Sequence, residues 1–256
     1  MGKIIAVANQ KGGVGKTTTT INLSACVAEL GKKVLVVDMD PQGNTTSGLG
    51  VDKDNLEKSS YELLLNESTA EECTVRLEDF GLSLIPASVD LAGSEVELIG
   101  IDNRESLLNQ KIKGLRAKYD YIFIDCPPSL NMLTINAFRA ADTVLVPIQC
   151  EFYALEGLGQ LVTTINLVKQ RLNPKIEIEG VVFTMYDPRT NLSQQVVEEV
   201  KRYMPSKTYN TVIPRNIRLG EAPSFGLPVI YYDDRSSGAR AYRDLAKEFL
   251  KANGGK

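Results

Sequence analysis

A chain of 256 residues, 43% hydrophobic and 24% charged, is long enough to bury a full core and has the composition of an ordinary globular protein. It has no histidine and only four scattered cysteines, Cys26, Cys73, Cys126 and Cys150, which excludes Ser-His-Asp and Cys-His catalysis and argues against a disulfide framework or a zinc site. The net charge of −3 is uneven: residues 1–174 carry 16 Lys+Arg against 22 Asp+Glu, and residues 175–256 carry 13 against 10, so the basic end is the one that permits an anionic partner.

Taken in chain order, the apolar β-branched runs Ile4–Ala8, Lys33–Asp38, Leu82–Pro86, Tyr121–Asp125, Thr143–Ile148, Gly180–Thr184 and Thr211–Ile213 read as strands. Helical spacing falls between them, over Lys16–Leu30, Ser106–Lys118, Leu130–Ala141, Leu155–Leu172, Leu192–Tyr203 and Gly238–Ala252. The polar stretch Gly48–Asp79 reads as an excursion with a short helix near Ser59–Leu65, and Asn253–Lys256 are expected to fray. This alternation predicts an α/β fold, a doubly wound, mostly parallel sheet flanked by helices, in one domain spanning residues 1–256. No apolar run approaches the ~20 residues that span a bilayer. The first residues read as a strand rather than a signal peptide, so a cytoplasmic protein is expected.

Ligands of such sheets bind where strands end at the carboxyl edge, and three motifs fall there. After the first strand comes "NQKGGVGKTT", which fits a phosphate-binding loop of G-x-x-x-x-G-K-[ST] type except at its first glycine. That position holds Gln10, and an additional lysine, Lys11, follows it. Gly12, Gly13 and Gly15 let backbone N–H groups turn toward an anion. Lys16 is placed to reach the β- and γ-phosphates, and the Thr17 hydroxyl to ligate Mg²⁺. "VLVVDMDPQ" then offers Asp38 and Asp40, one to support the loop or metal and the other to orient a water. "YIFIDCPPS" ends a strand on Asp125, the position of a carboxylate that holds Mg²⁺ through water.

With K-G-G-V-G-K-T-T, D-M-D-P-Q-G-N and I-D-C-P-P-S assembled, the chain resembles the deviant Walker-A ATPases. The segments "MYDPRTNLSQQVVEEV" and "IPRNIRLGEAPSFGLPVIYYD" extend that resemblance to the ParA/Soj partition branch over essentially the whole length. The resemblance implies a P-loop ATPase using ATP/ADP and Mg²⁺, with Lys11, Gly12, Gly13, Val14, Gly15, Lys16, Thr17 and Thr18 around the nucleotide. It implies that Lys11 reaches across a homodimer to the partner's phosphates, that Asp40 positions the attacking water and that Asp38 supports the loop. By similarity Thr184, Ile213, Pro214 and Asn216 line the adenine pocket, and Arg189 and Arg218 contact DNA. The implied partners are a second copy bound through ATP, non-specific double-stranded DNA, and a ParB/Spo0J-type protein that stimulates hydrolysis; the implied location is nucleoid-associated.

Three alternatives stand beside this reading. A MinD-like membrane ATPase would end in a basic amphipathic helix. Here Ala239, Tyr242, Leu245, Ala246, Phe249 and Leu250 instead form an apolar face expected to pack on the core, with almost no basic tail after it. An iron–sulfur reductase would need Cys126 or Cys150 as cluster ligands. A metabolic kinase would need a small-molecule pocket that no motif supplies.

Overall fold

The computed structural model describes residues 2–254. Eight strands, β1 (Lys3–Val7), β2 (Val34–Asp38), β3 (Val75–Leu77), β4 (Leu82–Ile85), β5 (Tyr121–Asp125), β6 (Thr143–Gln149), β7 (Glu177–Tyr186) and β8 (Thr208–Pro214), form one sheet in the order β3-β4-β2-β5-β1-β6-β7-β8. Every neighbouring pair is parallel except β3 with β4. Every residue of β2 and β5 is buried, as a central parallel strand requires when helices cover both of its faces.

The helices are α1 (Lys16–Glu29), α2 (Asn44–Gly48), α3 (Ser60–Leu64), α4 (Ser94–Glu97), α5 (Leu107–Ile112), α6 (Met132–Ala140), α7 (Ala154–Arg171), α8 (Asn191–Tyr203), α9 (Ile217–Glu221), α10 (Val229–Tyr232) and α11 (Ser237–Ala252). Alternate strand residues face opposite ways, and two cores follow. Ile4, Leu35 and Ile122 pack with Phe138, Leu161 and Val196 from α6–α8. Ile5, Val36 and Phe123 pack with Ile21, Tyr242 and Phe249 from α1 and α11. The six apolar residues of the last helix all lie in the second core, so the face that a membrane anchor would use is occupied by the sheet. No described helix is long and apolar enough to cross a membrane.

The expected strands and long helices are present, with four differences. β3 escapes pattern reading because its three residues are half-buried or exposed and hold only by pairing with β4. β7 begins earlier than its apolar run, at the polar stretch Glu177–Glu179, where the Lys3 ammonium compensates the Glu179 carboxylate at 2.5 Å. The stretch expected as one helix over Ser106–Lys118 splits into α5 and a 3₁₀ segment, Lys113–Ala117, which contains Gly114. Asn253 is anchored rather than frayed: its amide donates to the Phe249 carbonyl at 2.9 Å and to Glu179 Oε1 at 2.7 Å. Residues 255 and 256 lie outside the described residues.

Phe249 joins the sheet to α11, its ring 5.1 Å from Tyr121 and 5.6 Å from Phe123. Phe249→Ala leaves a cavity under two strands and is expected to cost about 3–5 kcal/mol. Urea unfolding monitored by circular dichroism measures this; a loss below about 1 kcal/mol would show that α11 is dispensable to the core.

Candidate functional site

The carboxyl ends of β1, β2 and β5 bring the three sequence motifs together. A cavity of about 290 Å³ opens there, lined by Gly12, Gly13, Gly15, Lys16, Thr17, Thr18, Asp40, Gln42, Asn44, Pro128 and Met185. The loop backbone turns through the left-handed region at Gly13 (φ 74°) and Gly15 (φ 86°) but not at Gln10 or Gly12. A side chain at position 10 is therefore tolerated, and the turn rests on Gly13 and Gly15 rather than on Gly12. Asn9 fixes the loop's entry: its amide donates to the Pro147 carbonyl at 2.8 Å, and its oxygen accepts the Lys11 N–H at 3.0 Å. No motif pointed to Asn9.

The two lysines have different surroundings. Lys16 is buried, and its ammonium donates to the Lys11 carbonyl at 3.0 Å. Burial pushes its pKa down, while the charges of Asp125, Cys126 and Asp40 oppose that shift. Lys11 points to the rim, where its half-exposed ammonium pairs with Glu151 at the end of β6. Glu151 lies 140 positions away in the sequence, and no motif marked it.

Asp38 and Asp125 face each other in register at the ends of β2 and β5, both with 0% exposure. Asp125 Oδ2 accepts the hydroxyls of Thr17 (2.8 Å) and Thr45 (2.7 Å), and Oδ1 accepts that of Thr20 (3.2 Å). Asp38 Oδ2 accepts the Thr46 N–H (2.9 Å) and hydroxyl (2.7 Å), and Oδ1 accepts the Asp40 N–H (3.1 Å). Burial raises Asp38 to about 7, aided by the Asp125 charge. Burial likewise raises Asp125 to about 6, against its threonine hydrogen bonds. Asp40 lies past the end of β2, in the turn. Its Oδ1 accepts the Gln42 N–H at 3.0 Å, and its other oxygen takes no protein hydrogen bond among the described residues.

The donor set suits a hard dication. Thr17 gives its hydrogen to Asp125 and keeps oxygen lone pairs for a ligand, and the Asp125 carboxylate beside it adds further oxygens. No group of three or more His, Cys, Asp or Glu that could cage a metal occurs among the described residues. Mg²⁺, which binds through one or two protein oxygens together with phosphates and water, fits that arrangement.

A second cavity of about 200 Å³ adjoins the loop and gathers Thr184, Ile213, Pro214 and Asn216 with Gly15, Thr18, Met185 and Tyr242. Thr184 braces the loop as well, donating its hydroxyl to the Val14 carbonyl at 2.8 Å. Asn216 caps α9 by accepting the Arg218 N–H, and donates to Ser237. Met185 lines both cavities and carries φ 50°, a strained value for a residue with a side chain. A larger open cleft, about 880 Å³, lies at the opposite end of the strands. Several of its cations are already paired: Lys3 with Glu179, Arg116 with Asp142 and Lys118 with Glu71.

Arg189 and Arg218 are both on the surface and both paired. Arg189 forks onto Asp187 at 2.9 and 2.7 Å. Arg218 reaches Glu221 at 2.7 Å and Asp233 at 3.2 Å. The four cysteines are all buried, and burial pushes the thiols of Cys26, Cys73, Cys126 and Cys150 up, which suits packing rather than cluster ligation.

Thr46 holds Asp38 and also accepts the Ala87 N–H at 2.9 Å. Thr46→Val strips a donor from a buried carboxylate and orphans an N–H, so a loss of about 2–4 kcal/mol is expected. Thr163→Val on the exposed face of α7 should cost under about 0.5 kcal/mol. Equal midpoints for the two variants in guanidinium unfolding would refute the role assigned to Thr46.

The family model described as AAA domain matches residues 2–178. The chain is 56% identical over 254 residues to the sporulation initiation inhibitor protein Soj of Bacillus subtilis, covering 99% of this chain and 100% of that one. It is 53% identical to the chromosome partitioning protein ParA of Myxococcus xanthus (98% and 89% covered) and 50% identical to the chromosome-partitioning ATPase Soj of Thermus thermophilus (96% and 94%). Among solved structures, cobyrinic acid a,c-diamide synthase from Mycobacterium smegmatis with bound ADP and magnesium superposes with TM-score 0.85 at 39% identity, covering 99% of this chain and 96% of that one. The cell division ATPase MinD of Pyrococcus furiosus superposes with TM-score 0.82 at 28% identity (98% and 99%). A cradle of glycines, lysine and threonine at the ends of three parallel strands, carried on a sequence this similar to partition proteins, places the chain in the Soj/ParA family of chromosome-partitioning ATPases.

Proposed function

We propose that this ATPase is a partition switch. In this reading it binds Mg-ATP in the cradle, pairs with a second copy, holds double-stranded DNA without sequence preference in that state, and returns to the monomer when a ParB/Spo0J-type partner stimulates hydrolysis. The observation that carries the reading is the separation of the two lysines. Lys16 is buried beneath the loop, whereas Lys11 stands at the rim on an exchangeable ion pair with Glu151. An exposed pair of this kind is worth under about 1 kcal/mol, so a neighbouring copy's phosphates can take Lys11 from Glu151. Full-length similarity to partition proteins favours this function over the synthase activity named for one structural relative.

The chemistry follows from the side chains. Backbone N–H groups of Gly12–Thr18 and the start of α1 receive the phosphates. Lys16 neutralises charge on the β- and γ-phosphates, and Lys11 from the second copy adds charge where it develops at the transferring phosphoryl. Mg²⁺, held by Thr17 and through water by Asp125, would supply further neutralisation between the phosphates. Asp40 turns its free oxygen toward the attacking water, its own loop fixed from behind by Asp38. Thr184, Ile213, Pro214 and Asn216 enclose the base. Arg189 and Arg218 serve DNA phosphates, and pairing of two copies doubles a weak patch into a useful one. In the cell this would place the ATP-bound protein on the nucleoid.

Asp40→Ala is expected to bind ATP and form a DNA-bound dimer while turnover falls about 10²–10⁴-fold. Size-exclusion chromatography with ADP, ATP and ATP plus DNA, together with phosphate release, reads both effects; normal turnover would remove Asp40 from the mechanism. Arg218→Glu is expected to dimerise with ATP yet bind DNA much more weakly. With both copies altered, the slope of log affinity against log salt should shrink by roughly 2. An unchanged slope would take Arg218 out of the patch.

A further inference from the structure

The wide cleft at the amino ends of β1, β2 and β5 is lined by five cations, Lys3, Lys32, Lys33, Arg116 and Lys118, against two acids, Asp120 and Asp142. In a chain of net charge −3, that is a local reversal of sign. Two of the cations build the floor and are neutralised there. Lys3 donates to Glu179 and Asn253. Arg116 forks onto both Asp142 oxygens at 2.6 and 3.0 Å and donates to the Gly2 carbonyl at 3.1 Å.

The other three stand on the rim. Among the described residues, the ammoniums of Lys32 and Lys33 make no ion pair, unlike those of Lys3 and Lys118. Lys33 is fixed through its backbone instead. Its N–H donates to Asp120 Oδ2 at 2.8 Å, and its carbonyl accepts the N–H groups of Asp120 (2.8 Å) and Tyr121 (3.2 Å). Neither lysine belongs to the last turn of α1, where the negative end of a helix would account for it. Lys118 meets Glu71 with both side chains more than half exposed, so that pair exchanges readily. An adjoining cavity of about 420 Å³ shares Lys33, Lys118 and Tyr119, and adds Arg76, itself on an exposed pair with Glu78. Three separate stretches of chain thus deliver four cations to the rim of one trough. A recess lined by one sign of charge concentrates the field and draws counter-ions.

The side chains also indicate what kind of anion fits. Ammoniums are compact point charges on flexible stems, so they satisfy phosphate oxygens without imposing one geometry. The rings of Tyr119 and Tyr121 pack against the two cores and leave no platform on which a base could stack. The cleft alone, about 880 Å³, is the size of a small-molecule site. We propose that this trough is a second anion site, taking a small molecule with several linked phosphate groups, held by Lys32, Lys33, Lys118 and Arg76. It is separate from the nucleotide cradle, because the five residues of β1 place the two at opposite edges of the sheet, roughly 16 Å apart. An occupant would tie the start of β2 to the starts of β3 and β5, and so stabilise the folded chain.

The test uses the full chain with its cradle first saturated with Mg-ADP, Mg²⁺ kept in excess, and inorganic tripolyphosphate as the probe. Calorimetric titration should show a one-to-one binding event that weakens as salt is raised, and the probe should raise the Tm. Lys32→Glu/Lys33→Glu should keep basal ATP turnover while probe affinity falls at least about tenfold. Lys118→Gln, which removes a single exposed charge, should give a smaller loss. Lys201→Glu/Arg202→Glu changes the net charge equally on α8, outside both cavities, and should bind the probe as wild type does. Absence of the binding event overturns the site, and so does an equal loss in the two charge-reversed variants. A short DNA duplex titrated in parallel separates the remaining case. If Lys32→Glu/Lys33→Glu weakens the duplex but not tripolyphosphate, this edge is a nucleic-acid surface and the small-ligand site is refuted.

Discussion

Two carboxylates out of reach of water and side by side are the condition around which this fold is arranged. Asp38 and Asp125 end adjacent strands in register, where mutual repulsion and desolvation both oppose their charge. They are tolerated because five side-chain and backbone donors from two other elements close around them. Thr17 and Thr20 come from α1, and Thr45 and Thr46 come from α2. Satisfying the carboxylates therefore fixes the helix after the phosphate loop and the turn after β2 relative to the sheet. The same donors set where Lys16 and Asp40 stand.

The site consequently carries more negative than positive charge before any nucleotide arrives. Lys16 is the one cation inside the cradle among the described residues, and burial already lowers its pKa. Asp38 and Asp125 are raised for the complementary reason. A polyphosphate alone would worsen this imbalance, and a hard dication beside Thr17 and Asp125 relieves it. That is a physical reason for a metal-dependent nucleotide site that needs no comparison with other proteins.

Around this rigid centre the charges are of another kind. Lys11 with Glu151, Arg189 with Asp187, and Arg218 with Glu221 and Asp233 are pairs at the surface. Each is weak and screened, and exchanges for a competing anion at little cost. Buried groups hold the geometry while rim groups remain free to change partners, a division that suits the assembly and disassembly proposed above. Thr46 also ties the centre to its neighbour strand, since it touches both Asp38 and the backbone just past the end of β4.

Sequence by itself determined the sheet's central strands, the long helices and the identity of the cradle, because each is local. Apolar runs, 3.6-residue spacing and G-K-T between a strand and a helix are read within a few residues. It could not show β3, whose short, partly exposed strand exists only through pairing with β4, or the hydroxyls of Thr20, Thr45 and Thr46, which look like ordinary helix residues until folding delivers them to carboxylates from other strands. It left Asn9 and Glu151 unmarked for the same reason. The loop "NQKGGVGKTT" showed a second lysine and a missing glycine. Tertiary structure decided that Gly13 and Gly15 make the turn and that Lys11 faces outward on Glu151, because backbone sign and a partner 140 positions away are not properties of a short stretch of chain.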